Sequence, residues 1–305
     1  MNCIKCELKG VYKNGTTVFC RKHFMHYFEN KVRKTIIRYK LFDKSDKVCI
    51  ATSGGKDSMT ALYLTMIYCK KRGMDYFALA IDEGIEGYRD NTLLDLKEFC
   101  DKYEIKLHVV AFKDEFNFTL DEVQDKAFEN HNKKPCTVCG VFRRNLLNKS
   151  ARELGATKLV VGHNLDDEAQ SFMMNLLRGD MRRNASLGPV TGLMSNDSFV
   201  QRVKPLYFML EKEVRLYAYL KGFNIGFNEC PNSKYSFRAI VRDVLNDIEN
   251  KVPGVKNGVI NSFLDILADL KWKYSDKAMS YCKECGDPCS NDICNTCKLK
   301  VMVKC

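Results

Sequence analysis

The sequence predicts an α/β fold in which a parallel sheet is covered by helices on both faces, continues into a mostly helical segment, and is flanked at both ends by cysteine-rich ribbons. Three observations predict it. Apolar runs of strand length alternate with helix-periodic stretches between residues 47 and 210, the pattern of successive βαβ units. From Glu211 onward the periodicity is mostly helical. Each end of the chain carries four Cys or His residues grouped in two pairs.

Cys3, Cys6, Cys20 and His23 open the chain as CxxC, thirteen residues, then CxxH. The amphipathic, basic stretch 26–41 is predicted as a helix leading into the main domain. Residues 47–52 (KVCIAT) form the first strand, which ends in a glycine turn. The helix predicted over 57–71 places Met59, Leu62, Tyr63, Met66 and Ile67 on one side. FALAID follows as strand, 92–103 as helix, LHVVAF as strand, 119–128 and 141–154 as helices, KLVVGH as strand, and 199–205 as a fifth strand. Helices are then predicted over 211–221, 235–250 and 259–273, separated by Gly222 and by Pro253 with Gly254. Cys282, Cys285, Cys294 and Cys297 close the pattern as CxxC, eight residues, then CxxC. The expected units are an N-terminal ribbon 1–30, a basic linker helix 31–46, the α/β domain 47–210, a helical extension 211–275 and a C-terminal ribbon 276–305.

A chain of 305 residues holds one large domain or two modest ones with appendages. With 45% apolar and 29% charged residues it is neither disordered nor collagenous. No apolar run approaches the ~18 residues of a membrane span, and MNCIKCELKG lacks the apolar core of a secretion signal, so a cytoplasmic location without membrane contact is expected. Fifteen cysteines in a reducing compartment point to metal or sulfur chemistry rather than disulfides. The net charge of +11 is unevenly spread. Residues 1–46 hold eleven Lys/Arg against four Asp/Glu, and residues 271–305 hold seven against four, leaving the middle near neutral. The ends are therefore expected to meet a polyanion, although zinc-bound thiolates would trim their charge.

Ser53, Gly54, Gly55, Lys56, Asp57 and Ser58 lie between an apolar strand and a helix, where glycine backbone amides, hydroxyls, an ammonium and a helix N-terminus can converge on phosphate. The spacing is not that of GxxxxGK[ST]. An ordinary strand-to-helix turn accounts for the two glycines but not for the Lys-Asp-Ser that follows. SGGKDS resembles the pyrophosphate-loop signature of the PP-loop ATPases, which split ATP to AMP and pyrophosphate while adenylating a substrate. That resemblance implies a doubly wound sheet with its ligand at the carboxyl ends of the strands, the six loop residues as the pyrophosphate cradle, and Ala51 and Ile81 beside the adenine.

The acidic run in Gly162-His163-Asn164-Leu165-Asp166-Asp167-Glu168-Ala169-Gln170 follows a strand. Its carboxylates suit Mg²⁺, which prefers oxygen donors, or helix capping by Asp166 and Asp167. GHNLDDEAQ is similar to the second motif of the tRNA 2-thiolating PP-loop branch. The similarity implies Asp167 at the reacting phosphate, with Gly162 and His163 lining the nucleotide. DEGIEGYR (82–89) also resembles that branch, a plain surface loop being its other reading.

Cys136 and Cys139 stand in PCTVCG at a helix head, and Cys230 lies 91 positions beyond Cys139. Spacing alone allows a redox pair, half a zinc site or part of an iron–sulfur cluster. The likeness to tRNA thiolases of the TtuA/NcsA type implies that these three cysteines hold a [4Fe–4S] cluster with one iron open to carry sulfide. It also places Arg143 and Arg144 of CGVFRR near the site. A persulfide on one of the cysteines is the rival mechanism. The terminal quartets have spacings that suit structural zinc and resemble the zinc modules of the same family. Lys9, Lys13, Arg21, Lys22, Lys298 and Lys300 would then grip RNA phosphates. Cys49, Cys69 and Cys100 are read as core, Cys289 and Cys305 as spare thiols in preference to alternative ligands, and His26, His108 and His131 carry no assigned role.

The fold expected is thus a doubly wound PP-loop ATPase domain with a helical C-terminal extension and two zinc ribbons. The function expected is ATP-dependent tRNA uridine 2-sulfurtransfer, with Mg²⁺ and catalysis by Lys56, Asp167, Arg143 and the three cysteines. Arg178, Arg182, Arg183, Arg238 and Arg242 are candidates for phosphate contacts, with RGDMRR (178–183) read as a loop. The wobble uridine is favoured over the T-loop uridine, because 22 Asn and 15 Cys are types a hyperthermophile sheds and CGVFRR looks more like the wobble branch. A nucleotide-regulated tRNA-binding protein without activity, or an enzyme adenylating a metabolite, are the alternatives. The sulfur donor is left among a thiocarboxylated ubiquitin-like protein, a desulfurase and free sulfide, and relatives imply a homodimer.

Overall fold

A computed structural model describes the chain except residues 132–133, 194–198, 225–229, 232–236, 276–279, 290 and 305. It begins with a hairpin of β1 (Tyr12–Asn14) and β2 (Thr17–Phe19), turned at Gly15 in the left-handed region (φ 56°). Directly after it comes α1 (Arg21–Arg38). This helix starts earlier than predicted and runs unbroken through position 30, because Cys20 is its N-cap and a stripe of Phe24, Phe28, Val32 and Ile36 is buried from the first turn. The ribbon's last pair is therefore the head of the helix.

All five predicted strands form: β3 (Val48–Ala51), β4 (Tyr76–Asp82), β5 (Leu107–Ala111), β6 (Lys158–Val160) and β7 (Gln201–Val203), paired in parallel in the order β5-β4-β3-β6-β7. Val48 and Ile50 face one apolar layer while Cys49 between them faces the other, as a strand buried on both faces requires. The first layer is packed by α1, by α2 (Lys56–Lys70) and by α3 (Arg89–Tyr103), and it contains all five apolar residues predicted for the inner side of α2. The other face is covered through α4 (Phe112–Phe116), α5 (Leu120–His131) and α6 (Pro135–Glu153), which carry the chain from β5 back across to β6. Between β3 and β6 the winding reverses direction, so the crevice outside their carboxyl ends is the topological switch point of a doubly wound sheet.

Beyond the sheet lie α7 (Leu165–Leu177), α8 (Met181–Ala185), α9 (Glu211–Lys221), α10 (Phe237–Lys251) and α11 (Val255–Tyr274). The stretch expected as the loop RGDMRR is thus partly the short helix α8, because the Asp180 carboxylate caps it by accepting from Arg183 N at 3.1 Å. Val241, Leu245 and Ile260 of the last two helices pack on Leu165 and Ala169 of α7. A second hairpin, β8 (Ser280–Tyr281) with β9 (Pro288–Cys289), leads into α12 (Asn295–Lys304). Sequence reading missed this helix. It buries Leu299 and Val303 in the cluster shared by α5 and α6, so the C-terminal ribbon is docked on the helix that begins with PCTVCG. Cys49, Cys69 and Cys100 are buried, as expected of core thiols. The start of the predicted helix 235–250, the side chain of His131, and Cys305 fall outside the described residues.

Candidate functional site

The two motifs meet at the switch point. A methyl group at Gly162 would lie 2.9 Å from Asp57 C and Ser58 N, so the segment leaving β6 packs backbone to backbone on the first turn of α2. Within the SGGKDS loop, Ser58 Oγ accepts from Ser53 N (3.1 Å) and donates to Gly55 O (2.9 Å). Gly54 has φ 82°, and a Cβ there would stand 2.5 Å from Thr92 O, so only glycine fits. No side chain caps the N-terminus of α2, which leaves its amides for an outside acceptor, as a phosphate cradle requires.

Lys56 Nζ lies 2.9 Å from Glu211 Oε1 and 3.1 Å from Asp57 Oδ2. Burial alone would lower its pKa, but these two carboxylates outweigh burial and hold it above the usual value. Burial, followed by the nearby charge of Asp167, raises the pKa of Asp57 despite Lys56. Burial likewise raises that of Asp167, with Glu211 and Asp166 adding to the effect and Arg238 opposing it. Crowded, desolvated carboxylates beside a phosphate cradle are what a hard divalent cation neutralises. Glu211, at the start of α9, has no local sequence signal.

The two aspartates of the second motif separate in role. Asn164 is the N-cap of α7: its Oδ1 accepts from Asp167 N (3.0 Å), and Asp167 Oδ2 accepts from Asn164 N (3.2 Å). Capping therefore falls to Asn164 with Asp167 rather than to Asp166, and the N-x-x-D spacing was the signal that could have revealed it. Asn164 Nδ2 also donates to Asp57 Oδ1 (2.9 Å), tying the motifs together. Asp166 is buried, paired with Lys256 of α11, and accepts from Glu211 N at 2.7 Å, so it acts as a brace. His163 Nδ1 stands 3.8 Å from Glu168, whose other partner is the buried Lys204 at 2.7 Å. Ala51 and Ile81 lie at the carboxyl ends of β3 and β4.

DEGIEGYR is more than a surface loop. Buried Arg89 donates to Ser53 O (2.7 Å) and to Ile81 O, and its Nε is 3.1 Å from Glu83 Oε2. The other oxygen of Glu83 is 3.5 Å from Arg143 Nη1. One buried carboxylate thus joins the pyrophosphate-type loop to the helix carrying Cys136 and Cys139. Replacing Arg89 with Met is expected to destabilise the fold by about 3–5 kcal/mol, since Glu83 would keep its burial and lose its closest charge partner. Urea denaturation measures this, and a loss below ~1 kcal/mol would contradict the bracing role.

Pro135 begins α6, with Cys136 exposed in its first turn and Cys139 half-buried one turn on. Cys139 and half-buried Cys230 pack against the cluster of Ile81, Ile85, Val138 and Phe142. Burial pushes the Cys139 thiol up to about 12, opposed by the Arg143 guanidinium, and the charges of Cys136 and Cys230 act on it too. Cys139 and Cys230 thus pack on one apolar cluster, with exposed Cys136 and the Arg143 guanidinium close enough to act on them through charge.

In the N-terminal quartet, His23 Nδ1 lies 3.3, 3.5 and 3.4 Å from the sulfurs of Cys3, Cys6 and Cys20, with Cys6 and Cys20 3.6 Å apart. In the C-terminal one, Cys285 and Cys294 are 3.7 Å apart, with Cys282 and Cys297 completing the group. These spacings match the edges of the tetrahedron that four ligands with bonds of ~2.0–2.3 Å to one ion would form. Cys289 is outside the quartet, its thiol against Asn291 O.

The remaining candidates are scattered. Arg238 binds Asp167 O (3.3 Å), Gln170 (3.2 Å) and Ser171 (3.0 Å) along α7, near the nucleotide motif. Arg178 lies over the Phe237 ring, Arg183 pairs with Asp180, Arg242 with Asp243, and Lys300 lies over Phe116. Arg182 shares α8 with Arg183.

The PP-loop domain family matches residues 24–248. The chain is 37% identical to cytoplasmic tRNA 2-thiolation protein 1 of Dictyostelium discoideum, an alignment covering 97% of this chain and 82% of the relative. It is 33% identical to tRNA 2-thiolation protein NcsA of Haloferax volcanii, over 98% of both chains. Among solved structures, the U34-tRNA thiolase NcsA from Methanococcus maripaludis with its [4Fe-4S] cluster superposes with a TM-score of 0.82 at 34% identity, covering 98% of this chain and 95% of that one.

Proposed function

The chain belongs to the PP-loop family of tRNA 2-thiolation proteins, and from that premise we infer that it is a tRNA uridine 2-sulfurtransferase that consumes ATP and acts on the wobble uridine. The observation that carries this reading is the union, through Glu83, of a pyrophosphate-type loop with a three-cysteine site. Its relatives' names place the activity in the cytoplasm, and among the described residues no helix is long and apolar enough to cross a membrane.

In the first half-reaction uridine O2 attacks the α-phosphate of ATP and pyrophosphate leaves. The amides of α2, the hydroxyls of Ser53 and Ser58, and Lys56 would take the departing charge, Lys56 exchanging Glu211 and Asp57 for phosphate oxygens. Asp57, Asp167 and Glu211 would hold Mg²⁺, Gly162 and His163 would line the nucleotide, and Ala51 and Ile81 would flank the adenine. In the second half-reaction sulfur bonds to C2 and AMP leaves with the former O2. A [4Fe–4S] cluster on Cys136, Cys139 and Cys230 would supply that sulfur carrier through its one iron lacking a protein ligand. Arg143 would balance thiolate charge there, and the wall of Val138 and Phe142 would keep water from the activated base.

We also propose a structural zinc ion in each quartet, a homodimer, and tRNA held by the basic ends. Cys20→Ser is expected to lower zinc from two ions to one per chain and to loosen the N-terminal ribbon, whose Tyr12 and Tyr27 phenols donate to buried Glu213 (2.6 and 2.9 Å). Metal analysis with a thermal melt checks it, and unchanged zinc would reject the quartet. For the activity itself, the anaerobically purified chain given ATP, sulfide and tRNA should yield AMP and 2-thiouridine at the wobble position. Nucleotide binding with neither product would favour a mere binding protein, and sulfur appearing only in the T-loop would correct the target. Replacing sulfide in turn by a thiocarboxylated ubiquitin-like protein or a desulfurase identifies the donor.

A further inference from the structure

Arg143 and Arg144 are consecutive on α6, so their side chains leave the helix about 100° apart. The first turns to Glu83 and the cysteine site. The second lines a cavity of about 320 Å³ between α6, the chain entering β7 and the C-terminal ribbon. Across it stands Arg202, whose Nη2 donates to Arg144 O at 3.1 Å. Among the described residues neither guanidinium has a carboxylate partner. The one acid on the wall, Asp287, already accepts from Asn145 Nδ2 (2.8 Å) and faces Arg152 (3.7 Å). Burial, and then the charge of Arg144, pull the pKa of Arg202 down to about 10. At the same cavity Phe199 leaves 45% of its surface exposed.

Two forked donors without an anion, next to an open aromatic ring, have the chemistry of a nucleotide: phosphate for the guanidiniums, a base for the ring. The cavity is also close to the reaction. Arg144 is five residues past Cys139, ~7.5 Å along the helix axis. We propose that this cleft receives a nucleotide of the tRNA strand adjoining the reacting uridine, with its phosphate between Arg144 and Arg202 and its base against Phe199. The proposal rests on the tRNA-thiolase reading, and it gives the C-terminal ribbon a task of its own, as one wall of a substrate subsite.

The test compares native protein, Arg202→Ala, Arg202→Lys and Phe199→Ala in tRNA binding across a salt series, with thermal melts to confirm folding. Arg202→Ala should weaken tRNA binding about 5- to 50-fold and reduce the slope of log affinity against log salt by ~1. Arg202→Lys should keep the slope. Phe199→Ala should weaken binding ~5- to 150-fold with the slope unchanged. ATP affinity should remain native in all three. Native tRNA affinity in both alanine variants would overturn the subsite. So would a matching loss of AMP affinity, which would assign the cleft to a free mononucleotide. If the native protein neither binds nor thiolates tRNA, the functional reading itself falls.

Discussion

Cys230→Ala is expected to reduce 2-thiouridine formation by roughly 10³-fold or more while leaving the fold and ATP binding intact. The effect is large because Cys230 reaches the site from a different part of the chain than the CxxC pair on α6. Without it the ligand proposed for the trio would rest on two thiolates of a single helical turn. The structural cost is small, since Cys230 is only half-buried at the edge of its cluster and a thiol-to-methyl change removes little packing. Three measurements on anaerobically purified protein decide the matter: iron and acid-labile sulfide per chain, thiouridine by mass spectrometry, and a thermal melt. Iron, sulfide and product should fall together with the melt preserved. Native turnover in the variant would remove Cys230 from the chemistry, and a fully active native protein free of iron would turn the argument toward a persulfide.

Gly162→Ala should be nearly as damaging for the opposite half-reaction. Its methyl would meet the Asp57 and Ser58 backbone at 2.9–3.0 Å, and neither a helix's first turn nor the end of a central strand can yield as a flexible side chain would. The two loops must part by several tenths of an ångström, which misaligns donors that act only when placed. ATP-dependent turnover should drop ~10²-fold, with stability lower by about 1–3 kcal/mol. Gly258→Ala is the control, because its methyl would enter open space on α11 and should leave activity unchanged. Native kinetics in Gly162→Ala would show that the loops do not need this approach.

What was legible in the sequence was what is encoded locally. Strand runs such as VCIA and YFALAID, the glycine turn before Lys56, and the CxxC spacings each lie within about twenty residues, and each appeared where expected. The helix start predicted at residue 26 came five residues late because a metal-type pair can double as a helix start, which spacing alone does not reveal. Glu211 and Lys256 escaped because their partners, Lys56 and Asp166, are 155 and 90 positions away in sequence, and a charged residue on a surface-patterned helix carries no mark of such a partner. The role of Arg89 was hidden for a related reason: a lone arginine among acidic neighbours reads as solvated until the fold encloses it.

The carboxylate of Glu83, shared between Arg89 and Arg143, fixes more than local charge. Two guanidiniums leaning on the same post constrain each other, so a shift of the SGGKDS loop, which Arg89 holds at Ser53 O, is passed through one carboxylate to the helix that carries Cys136 and Cys139.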